Sequence, residues 1–163
     1  MTIGAIRVGQ GFDVHRFTDD PDRTLVLGGC TFDGERGLSG HSDADVVAHA
    51  VAEALLGASG LGDLGTHFPD TDPEWEGADS IGLLRHVTGL VRGEGWDIGN
   101  VDVSVVCERP KLAPRRDEMQ RCLGDAVGAD VTVKGRRAEG LGAIGRVEGV
   151  ACWAVAVIHR GEP

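Results

Sequence analysis

The spacing of hydrophobic residues divides the chain into short strands that alternate with helices. The first helix is expected to begin near Ser42 or Asp43, either of which can cap it, and to end near Gly57. A second helix is predicted over residues 79–92, and Pro114 suits the first turn of a third. Strands are predicted over residues 5–10, 24–27, 101–106, 131–134 and 149–158.

Because strands and helices intermix, residues 1–163 are predicted to form one domain of the α/β or α+β class. The segment 58–78 has no hydrophobic period, and loops of this length in a compact domain are usually functional or disordered. Its stretches 62–65 and 68–73 are rich in Gly, Asp and Pro, which is typical of stiff turns. A rigid loop that holds the hydroxyl groups of a substrate is the alternative.

Composition and charge exclude several classes of partner. Of the 163 residues, 41% are hydrophobic and 26% are charged, as in an ordinary folded protein. The formal net charge of -10 argues against nucleic acid and against an anionic membrane surface, because both would repel the chain. We see neither a transmembrane stretch nor a secretory signal. The four cysteines form no Cys-x-x-Cys pair, so buried free thiols in a reducing cytoplasm are expected.

The charges are unevenly distributed along the chain. Residues 1–100 contain 17 acidic and 6 basic side chains, whereas residues 101–163 contain 9 acidic and 10 basic ones. We therefore expect an anionic ligand to contact the C-terminal third, or metal ions held by the acidic part. Two basic clusters there are either solvated surface or phosphate contacts. They consist of Arg109, Lys111, Arg115 and Arg116, and of Lys134, Arg136 and Arg137.

A small set of Asp and His residues could bind a metal ion. Asp13 and His15 lie on one face of an extended segment, although this pair alone also fits a surface ion pair. On the first helix, Asp45, His49 and Glu53 share a polar stripe. The stripe is either a solvated face or a metal-binding His oriented by a carboxylate. Together, Asp13, His15 and His49 would leave a fourth position open, as catalytic zinc sites do.

His41 and Ser42 directly precede the predicted first helix. Free backbone N–H groups and the positive end of the helix dipole favour an anion at such a position. We therefore expect these two residues to contact an anionic ligand.

These motifs, taken in order, resemble those of the 2-C-methyl-D-erythritol 2,4-cyclodiphosphate synthase family. The resemblance extends over nearly the whole chain, and chance agreement of so many ordered motifs is very improbable. It rests on residues 11–15, 41–45 with His49, 61–65, 68–73, 99–102 and the pair Pro110-Lys111.

The resemblance implies a fold and a reaction. The fold is a mixed β-sheet with helices packed on one face, in a homotrimer that surrounds a central cavity and has its active sites between neighbouring subunits. The substrate is 4-diphosphocytidyl-2-C-methyl-D-erythritol 2-phosphate, from non-mevalonate isoprenoid precursor biosynthesis. Its 2-phosphate oxygen attacks the β-phosphorus, CMP leaves, and a cyclic diphosphate forms.

The resemblance also implies metal ligands and substrate contacts. Asp13, His15 and His49 would hold Zn²⁺, and Glu139 would help to hold Mg²⁺ or Mn²⁺ between the α- and β-phosphates. His41, a catalytic position, would contact the phosphates and the erythritol together with Ser42. The implied contacts to the erythritol part are Asp63, Leu64, Gly65, Phe68, Pro69, Asp70, Thr71 and Asp72, and those to the cytosine are Cys107, Pro110, Lys111 and Leu112. Further implied substrate contacts are Val14, Arg136 and Arg146, and the metal ligands Asp13, His15 and Glu139 are expected to contact the substrate as well.

The chain departs from the family at two places. Where the family has three consecutive threonines, this chain has Arg136-Arg137-Ala138. We hypothesise that Arg137 replaces part of a catalytic phosphate contact, since a guanidinium can bind phosphate with two hydrogen bonds. The segment 143–149 also differs, so the central cavity, where the family binds prenyl diphosphates, is expected to have a different shape.

Two other functions remain open on the sequence. One is a catalytically silent homologue that binds a nucleotide or a prenyl diphosphate, which the missing threonines would fit. The other is a different zinc-dependent phosphoesterase. Retention of the three zinc ligands and Glu139 favours the active synthase.

Overall fold

A four-stranded mixed sheet organises the protein. The computed structural model describes residues 4–161, so the outermost residues of the predicted domain, 1–3 and 162–163, lie outside the described residues. The strands are β1 (Ile6–Arg16), β2 (Leu25–Leu27), β3 (Cys30–Phe32), β4 (Asp97–Val106), β5 (Asp130–Arg136) and β6 (Gly149–His159). The main sheet has the order β1-β6-β4-β5, in which the β4–β5 pair is parallel and the others are antiparallel, while β2 and β3 form a separate hairpin.

Three long helices cover one face of this sheet. The helices are α1 (Val46–Ser59), α2 (Leu64–His67), α3 (Ser80–Gly93), α4 (Arg116–Val127) and α5 (Gly142–Gly145). Helix α1 packs on β1 and β6, α4 packs on β5, and α3 packs on both α1 and α4. The structure thus confirms a single α/β domain with a mixed sheet and helices on one face.

Helix α1 lies unusually close to β1 because two strand residues have no side chain. A Cβ atom added to Gly9 would lie 2.0 Å from the carbonyl oxygen of Ala54. One added to Gly11 would lie 2.0 Å from the carbonyl oxygen of Ala50. The two backbones are therefore in direct contact, which brings side chains at the first turn of α1 next to the end of β1.

The opposite face of the sheet carries exposed apolar side chains. Phe12 on β1 pairs with Trp153 on β6, their ring centroids are 4.8 Å apart, and both side chains are exposed by more than two fifths. Large exposed apolar patches usually mark interaction surfaces. We call this surface the apolar strip, and it consists of Ile6, Val8, Phe12, Val14, Trp153 and Val155.

The predicted elements are confirmed in kind and corrected at their ends. Helix α1 begins at Val46 rather than near Ser42 or Asp43, because Asp45 provides the cap. Strand β1 runs on to Arg16, past polar residues that interrupt the apolar pattern. The segment 58–78 contains α2 and a 3₁₀ turn, Pro73–Trp75. Strand β3 and helices α2 and α5, which were not predicted, are too short to show a clear hydrophobic period.

The cysteines follow the expectation for free thiols. Cys30, Cys107 and Cys152 are buried and Cys122 is partly buried, and none of them is in a disulfide. Within residues 4–161, no helix combines the length and apolar character that crossing a membrane requires.

Substituting Gly9 tests the contact between α1 and β1. The variant Gly9→Ala should lower the free energy of unfolding by about 3 kcal/mol, because its methyl group overlaps the α1 backbone. Urea unfolding followed by circular dichroism measures the change. Gly89→Ala is the matched control: it lies on α3 with open space around the added carbon, and should stabilise by about 0.5–1 kcal/mol. Equal effects of the two variants would contradict the close contact.

Candidate metal centre and active site

Asp13, His15 and His49, the three ligands predicted from the sequence, converge on one point. Asp13 Oδ2 lies 2.9 Å from His15 Nε2 and 2.9 Å from His49 Nδ1. The two ring nitrogens are 3.3 Å apart. Tetrahedral ligands at a usual metal distance of about 2.0–2.1 Å are separated by about 3.3 Å, so the three atoms fit one divalent ion after small adjustments. We call this group the candidate metal centre.

Local structure determines how each ligand reaches the centre. Asp13 and His15 are two residues apart on β1, so both point to the face that carries the helices. His49 lies on the first turn of α1 and is brought alongside them by the close packing at Gly9 and Gly11. The site thus depends on one strand and one helix that touch each other.

The remaining nitrogen of each imidazole is hydrogen-bonded, which orients the ring. His15 Nδ1 lies 2.7 Å from the carbonyl oxygen of Ser39, to which it can only donate. His49 Nε2 lies 2.9 Å from Ser80 Oγ and 3.2 Å from Ser42 Oγ. Such outer partners are typical of metal-binding histidines, because they fix the tautomer that presents a lone pair to the ion.

The carboxylate and the imidazoles also shift one another's ionisation. Burial alone would raise the pKa of the Asp13 carboxyl, but hydrogen bonds from His15 and His49 hold this pKa well below its usual range. Burial alone would lower the pKa of His15, but the hydrogen bond and the charge of Asp13 raise it above its ordinary value. The centre therefore favours an ionised carboxylate with positive charge beside it.

Asp45 has a different position from the one predicted. It is fully buried, and its carboxylate accepts hydrogen bonds from Val47 and Ala48 at the start of α1 and from Gly28 and Gly29 in the turn of the β2–β3 hairpin. Asp45 therefore fits neither alternative that its spacing left open, a solvated helix face or a carboxylate that orients His49; it caps the helix instead.

The cap also changes the basis for the anion contact predicted at His41 and Ser42. The N–H groups of Val47 and Ala48 already donate to Asp45, so the argument from free N–H groups at the start of α1 is wrong. Ser42 Oγ is buried and accepts from the N–H of Ala44. His41 Nε2 lies 3.0 Å from the carbonyl oxygen of Asp72, which ties His41 to the 68–72 loop.

A cavity of about 370 Å³ adjoins the candidate metal centre. The sequence predicted some of the residues that line it, namely Asp13, His15, His41, Ser42, His49, Leu64, Phe68 and Asp70. It did not assign Phe12, Glu53, Trp75 and Leu83 to this cavity. Strand alternation puts the Phe12 side chain on the apolar strip, so the pattern gave no signal for its place at this cavity, and the part played by Trp75 depends on how the loop folds.

The loop beside this cavity is stiff, as the turn interpretation predicted. Asp63 caps α2 through the N–H of Thr66, and Asp72 caps the 3₁₀ turn. The Phe68 ring packs edge-on against Trp75 at 4.9 Å between centroids. Glu53 on α1 accepts from the N–H of Leu64, which attaches the loop to the helix that carries His49.

A second cavity, of about 300 Å³, collects the positions implied for the cytosine. Cys107, Pro110, Lys111 and Leu112 line it together with Arg136 and Arg137. Glu108, from the same segment, and Arg116, from the first basic cluster, also line it. This cavity shares no lining residue with the one beside the metal centre.

Arg137 is held at the second cavity by an ion pair. Its Nε donates to Glu108 Oε2 at 2.9 Å, and Gly140 N donates to the other oxygen of Glu108 at 3.3 Å. The Glu108 side chain is only 7% exposed, whereas that of Arg137 is 70% exposed. The buried carboxylate therefore anchors a guanidinium that faces solvent.

Three predicted site residues lie away from the metal centre. Glu139 lies two residues after Arg137, is exposed and has a left-handed backbone (φ 54°). It does not belong to the group of candidate metal ligands. Val14 has its side chain on the apolar strip. Arg146 is exposed and forms an ion pair with Glu148 at 2.6 Å. Of the remaining predicted positions, five line neither cavity: Asp63, Gly65, Pro69, Thr71 and Asp72.

The fold and the site define a single-domain α/β protein with a three-ligand candidate metal centre beside an open cavity. The chain belongs to the YgbB family, whose sequence model matches residues 6–159. The resemblance seen in the motifs is thereby confirmed.

Individual relatives are similar over nearly the whole chain. The bifunctional enzyme IspD/IspF of Anaeromyxobacter dehalogenans is 52% identical over 158 residues, which cover 95% of this chain and 40% of that protein. The 2-C-methyl-D-erythritol 2,4-cyclodiphosphate synthase of Geotalea uraniireducens is 49% identical over 158 residues, which cover 95% of this chain and 99% of that protein. The structure of Plasmodium falciparum IspF in complex with CDP has a TM-score of 0.84 at 32% identity and covers 99% of this chain and 100% of that one.

The chain spans about two fifths of the bifunctional relatives and nearly all of the single-function one. The names of these relatives give no support to a catalytically silent homologue.

The charge coupling at the metal centre predicts a pH-dependent effect of Asp13→Asn in chelator-treated protein. Because the pKa of His15 is raised in the folded protein, protonated His15 stabilises the fold at pH values below 6.5, its ordinary pKa. This contribution is lost as the pH rises through the raised pKa. Because the pKa of Asp13 is lowered in the folded protein, ionised Asp13 stabilises the fold at pH values above 3.8, its ordinary pKa. The variant should therefore be more destabilised relative to wild type at about pH 5.5 than at about pH 8.5.

Urea titrations at the two pH values measure this difference. Asp19→Asn, at an almost fully exposed surface carboxylate, is the control and should change stability equally at both. An equal loss for Asp13→Asn at both pH values would mean that the coupling is absent.

Proposed function

We propose that this chain is a phosphorus–oxygen lyase that converts 4-diphosphocytidyl-2-C-methyl-D-erythritol 2-phosphate to 2-C-methyl-D-erythritol 2,4-cyclodiphosphate and CMP, a step of the non-mevalonate route to isoprenoid precursors. The observation that carries the proposal is the convergence of Asp13, His15 and His49 beside a cavity. This occurs in a chain that matches a named synthase over 99% of that protein's length.

In the proposed reaction, an oxygen of the substrate's 2-phosphate forms a bond to the β-phosphorus. The bond from the β-phosphorus to the oxygen of the α-phosphate breaks, and that oxygen leaves with CMP. Phosphoryl transfer of this kind needs mainly positioning and neutralisation of charge. It therefore suits a site made of a metal centre, a stiff loop and arginine.

The donor set of two imidazoles and one carboxylate is one that Zn²⁺ commonly takes in catalytic sites, and we assign it one Zn²⁺ per subunit. When bound, the ion supplies positive charge that polarises a phosphate oxygen. Glu139 is proposed to contribute to a Mg²⁺ or Mn²⁺ that arrives with the diphosphate, since such ions prefer carboxylate oxygens and keep several water ligands.

The other residues are proposed to position the substrate. His41, whose Nε2–H donates to the Asp72 carbonyl oxygen, retains Nδ1 for the substrate: Nδ1 accepts from a hydroxyl when the ring is neutral and donates to a phosphate oxygen when the ring is protonated. The stiff loop from Asp63 to Asp72 fits recognition of the erythritol hydroxyls, because its backbone is held in place by its own caps. The second cavity fits the cytosine, and Lys111 on its wall fits the phosphates attached to the cytidine.

We further infer that the chain acts as a homotrimer with active sites between subunits. The apolar strip leaves large side chains such as Val8 exposed by 65%, which a partner subunit would cover. The two cavities share no lining residue, and Glu139 lies apart from the metal ligands. A site completed by two subunits explains both facts. Sedimentation of the purified protein at the mass of one chain would contradict the trimer.

Two smaller proposals accompany the trimer. The Arg146–Glu148 pair is a candidate for binding a prenyl diphosphate in the central cavity, and a thermal shift with geranyl diphosphate but not with inorganic diphosphate would support it. A cytoplasmic location is consistent with four free thiols, and cell fractionation tests it.

Phosphorus NMR with the cytidyl substrate and Mg²⁺ tests the proposed reaction. We expect signals of CMP and of a cyclic diphosphate to appear together, to be lost after treatment with a zinc chelator, and to return when Zn²⁺ is added back. CMP release without the cyclic product, or turnover that survives complete removal of zinc, would contradict the proposal.

Arg137 gives a separate prediction. Arg137→Ala should lower kcat/KM by about tenfold or more, because it removes a charge-assisted phosphate contact, while Arg137→Thr should retain more activity since a hydroxyl can still donate. Arg121→Ala, at an exposed arginine of α4, is the control and should leave kcat/KM unchanged. If Arg137→Ala behaves like the control, Arg137 does not contact phosphate.

A further inference from the structure

A buried serine on α3 links the candidate metal centre to an aspartate outside it. Ser80 is 1% exposed, and its Oγ lies 2.9 Å from His49 Nε2. The same oxygen is within hydrogen-bonding distance of Asp43 Oδ1. Asp43 and Ser80 are 37 positions apart in the chain, and the N-terminal residue of α3 meets the segment before α1 at this point.

The acceptor properties of these groups fix the direction of the hydrogen bonds. An ionised carboxylate can only accept, so the Ser80 hydroxyl donates to Asp43. Ser80 Oγ then has lone pairs left for His49, so the Nε2–H of the imidazole donates to it. With Nε2–H held by Ser80, Nδ1 is the nitrogen that can give up its proton and present a lone pair to an ion; without metal the same nitrogen lies 2.9 Å from Asp13 Oδ2 and can donate to it.

Asp43 is held rigidly enough to set the direction of the serine hydroxyl. Its carboxylate also accepts from the backbone N–H of Ser80 at 3.1 Å and from that of Asp45 at 3.0 Å. Ser42 Oγ, 3.3 Å from Ser80 Oγ, already accepts from Ala44 N, so its own proton remains available to donate. The donors and acceptors around Ser80 are thus compatible with a proton on His49 Nε2, for which Ser42 Oγ, at 3.2 Å, is a second acceptor.

We propose that Ser80 is a positioning residue of the metal centre, which acts through His49, and that Asp43 acts through Ser80. The pair selects the tautomer of His49 that presents Nδ1 to the ion and holds its ring in place. This inference rests on the proposed zinc site and adds residues to it that do not touch the metal or the substrate.

The main test compares Ser80→Ala with wild type. Competition with a chromophoric chelator should show zinc binding about 10–100-fold weaker in the variant. In metal-free protein that also carries Asp13→Ala, which removes the competing acceptor at Nδ1, nitrogen-15 NMR at a pH where the imidazoles are neutral should show His49 protonated on Nε2 when Ser80 is present and as a mixture of tautomers in Ser80→Ala. His15, held by the Ser39 carbonyl, is an internal reference and should not change.

A double-mutant cycle tests the role of Asp43. Asp43→Ala should weaken zinc binding in the wild-type background but should add little in the Ser80→Ala background, because its effect passes through the serine. Asp79→Ala is the matched control: Asp79 caps α3 beside Ser80 without contacting the metal ligands. It should lower the thermal stability of the protein and leave zinc affinity unchanged.

Three results would overturn the proposal: zinc affinity of Ser80→Ala within about threefold of wild type, an unchanged His49 tautomer, or an Asp43→Ala effect of equal size in both backgrounds. Failure of wild-type protein to bind zinc would instead refute the proposed function. The tautomer measurement would still decide the role of Ser80, because it is made without metal.

Discussion

The contact of α1 with β1 is the constraint on which the rest of the molecule depends. Two backbones can approach this closely only where the strand has glycine, at Gly9 and Gly11, and where the helix presents alanine. Burial of this seam stabilises the core, and the same seam determines where His49 lies relative to Asp13. The packing of α1 on β1 therefore also sets the geometry of the candidate metal centre, and a substitution at either glycine would affect both.

Aspartate side chains fix the ends of the elements around the site. Asp45 joins the start of α1 to the turn of the β2–β3 hairpin through four backbone N–H groups. Asp43 joins the segment before α1 to the start of α3, and Asp63 and Asp72 stiffen the loop between these helices. Much of the acidic excess in the first hundred residues thus serves to satisfy backbone donors, in addition to supplying a metal ligand.

Short-range periodicity indicated which side chains share a face, the family resemblance joined them into a candidate metal centre, and long-range hydrogen bonds explain what was missed. Asp13 and His15 share a face because strand side chains alternate, and His49 stands on the polar side of a clear helical pattern. The cap of α1 was misassigned because Ser42, Asp43 and Asp45 can all cap a helix. Only the hydrogen bonds from the turn of the β2–β3 hairpin, which is distant in sequence, favour Asp45 as the cap. Ser80 gave no signal, since its partners lie more than thirty positions away.

The anchoring of Arg137 by Glu108 has a consequence for selectivity among anions. Glu108 engages only one edge of the guanidinium, through Nε and one terminal nitrogen, and is itself almost fully covered. If Arg137 contacts phosphate as proposed, the anion would share the guanidinium with this carboxylate instead of meeting an isolated positive charge. Weakly basic or singly charged anions, such as chloride, would then gain little, whereas a phosphate dianion would gain more. A threonine hydroxyl has no such paired carboxylate, so the proposed arginine contact would select among anions by their charge.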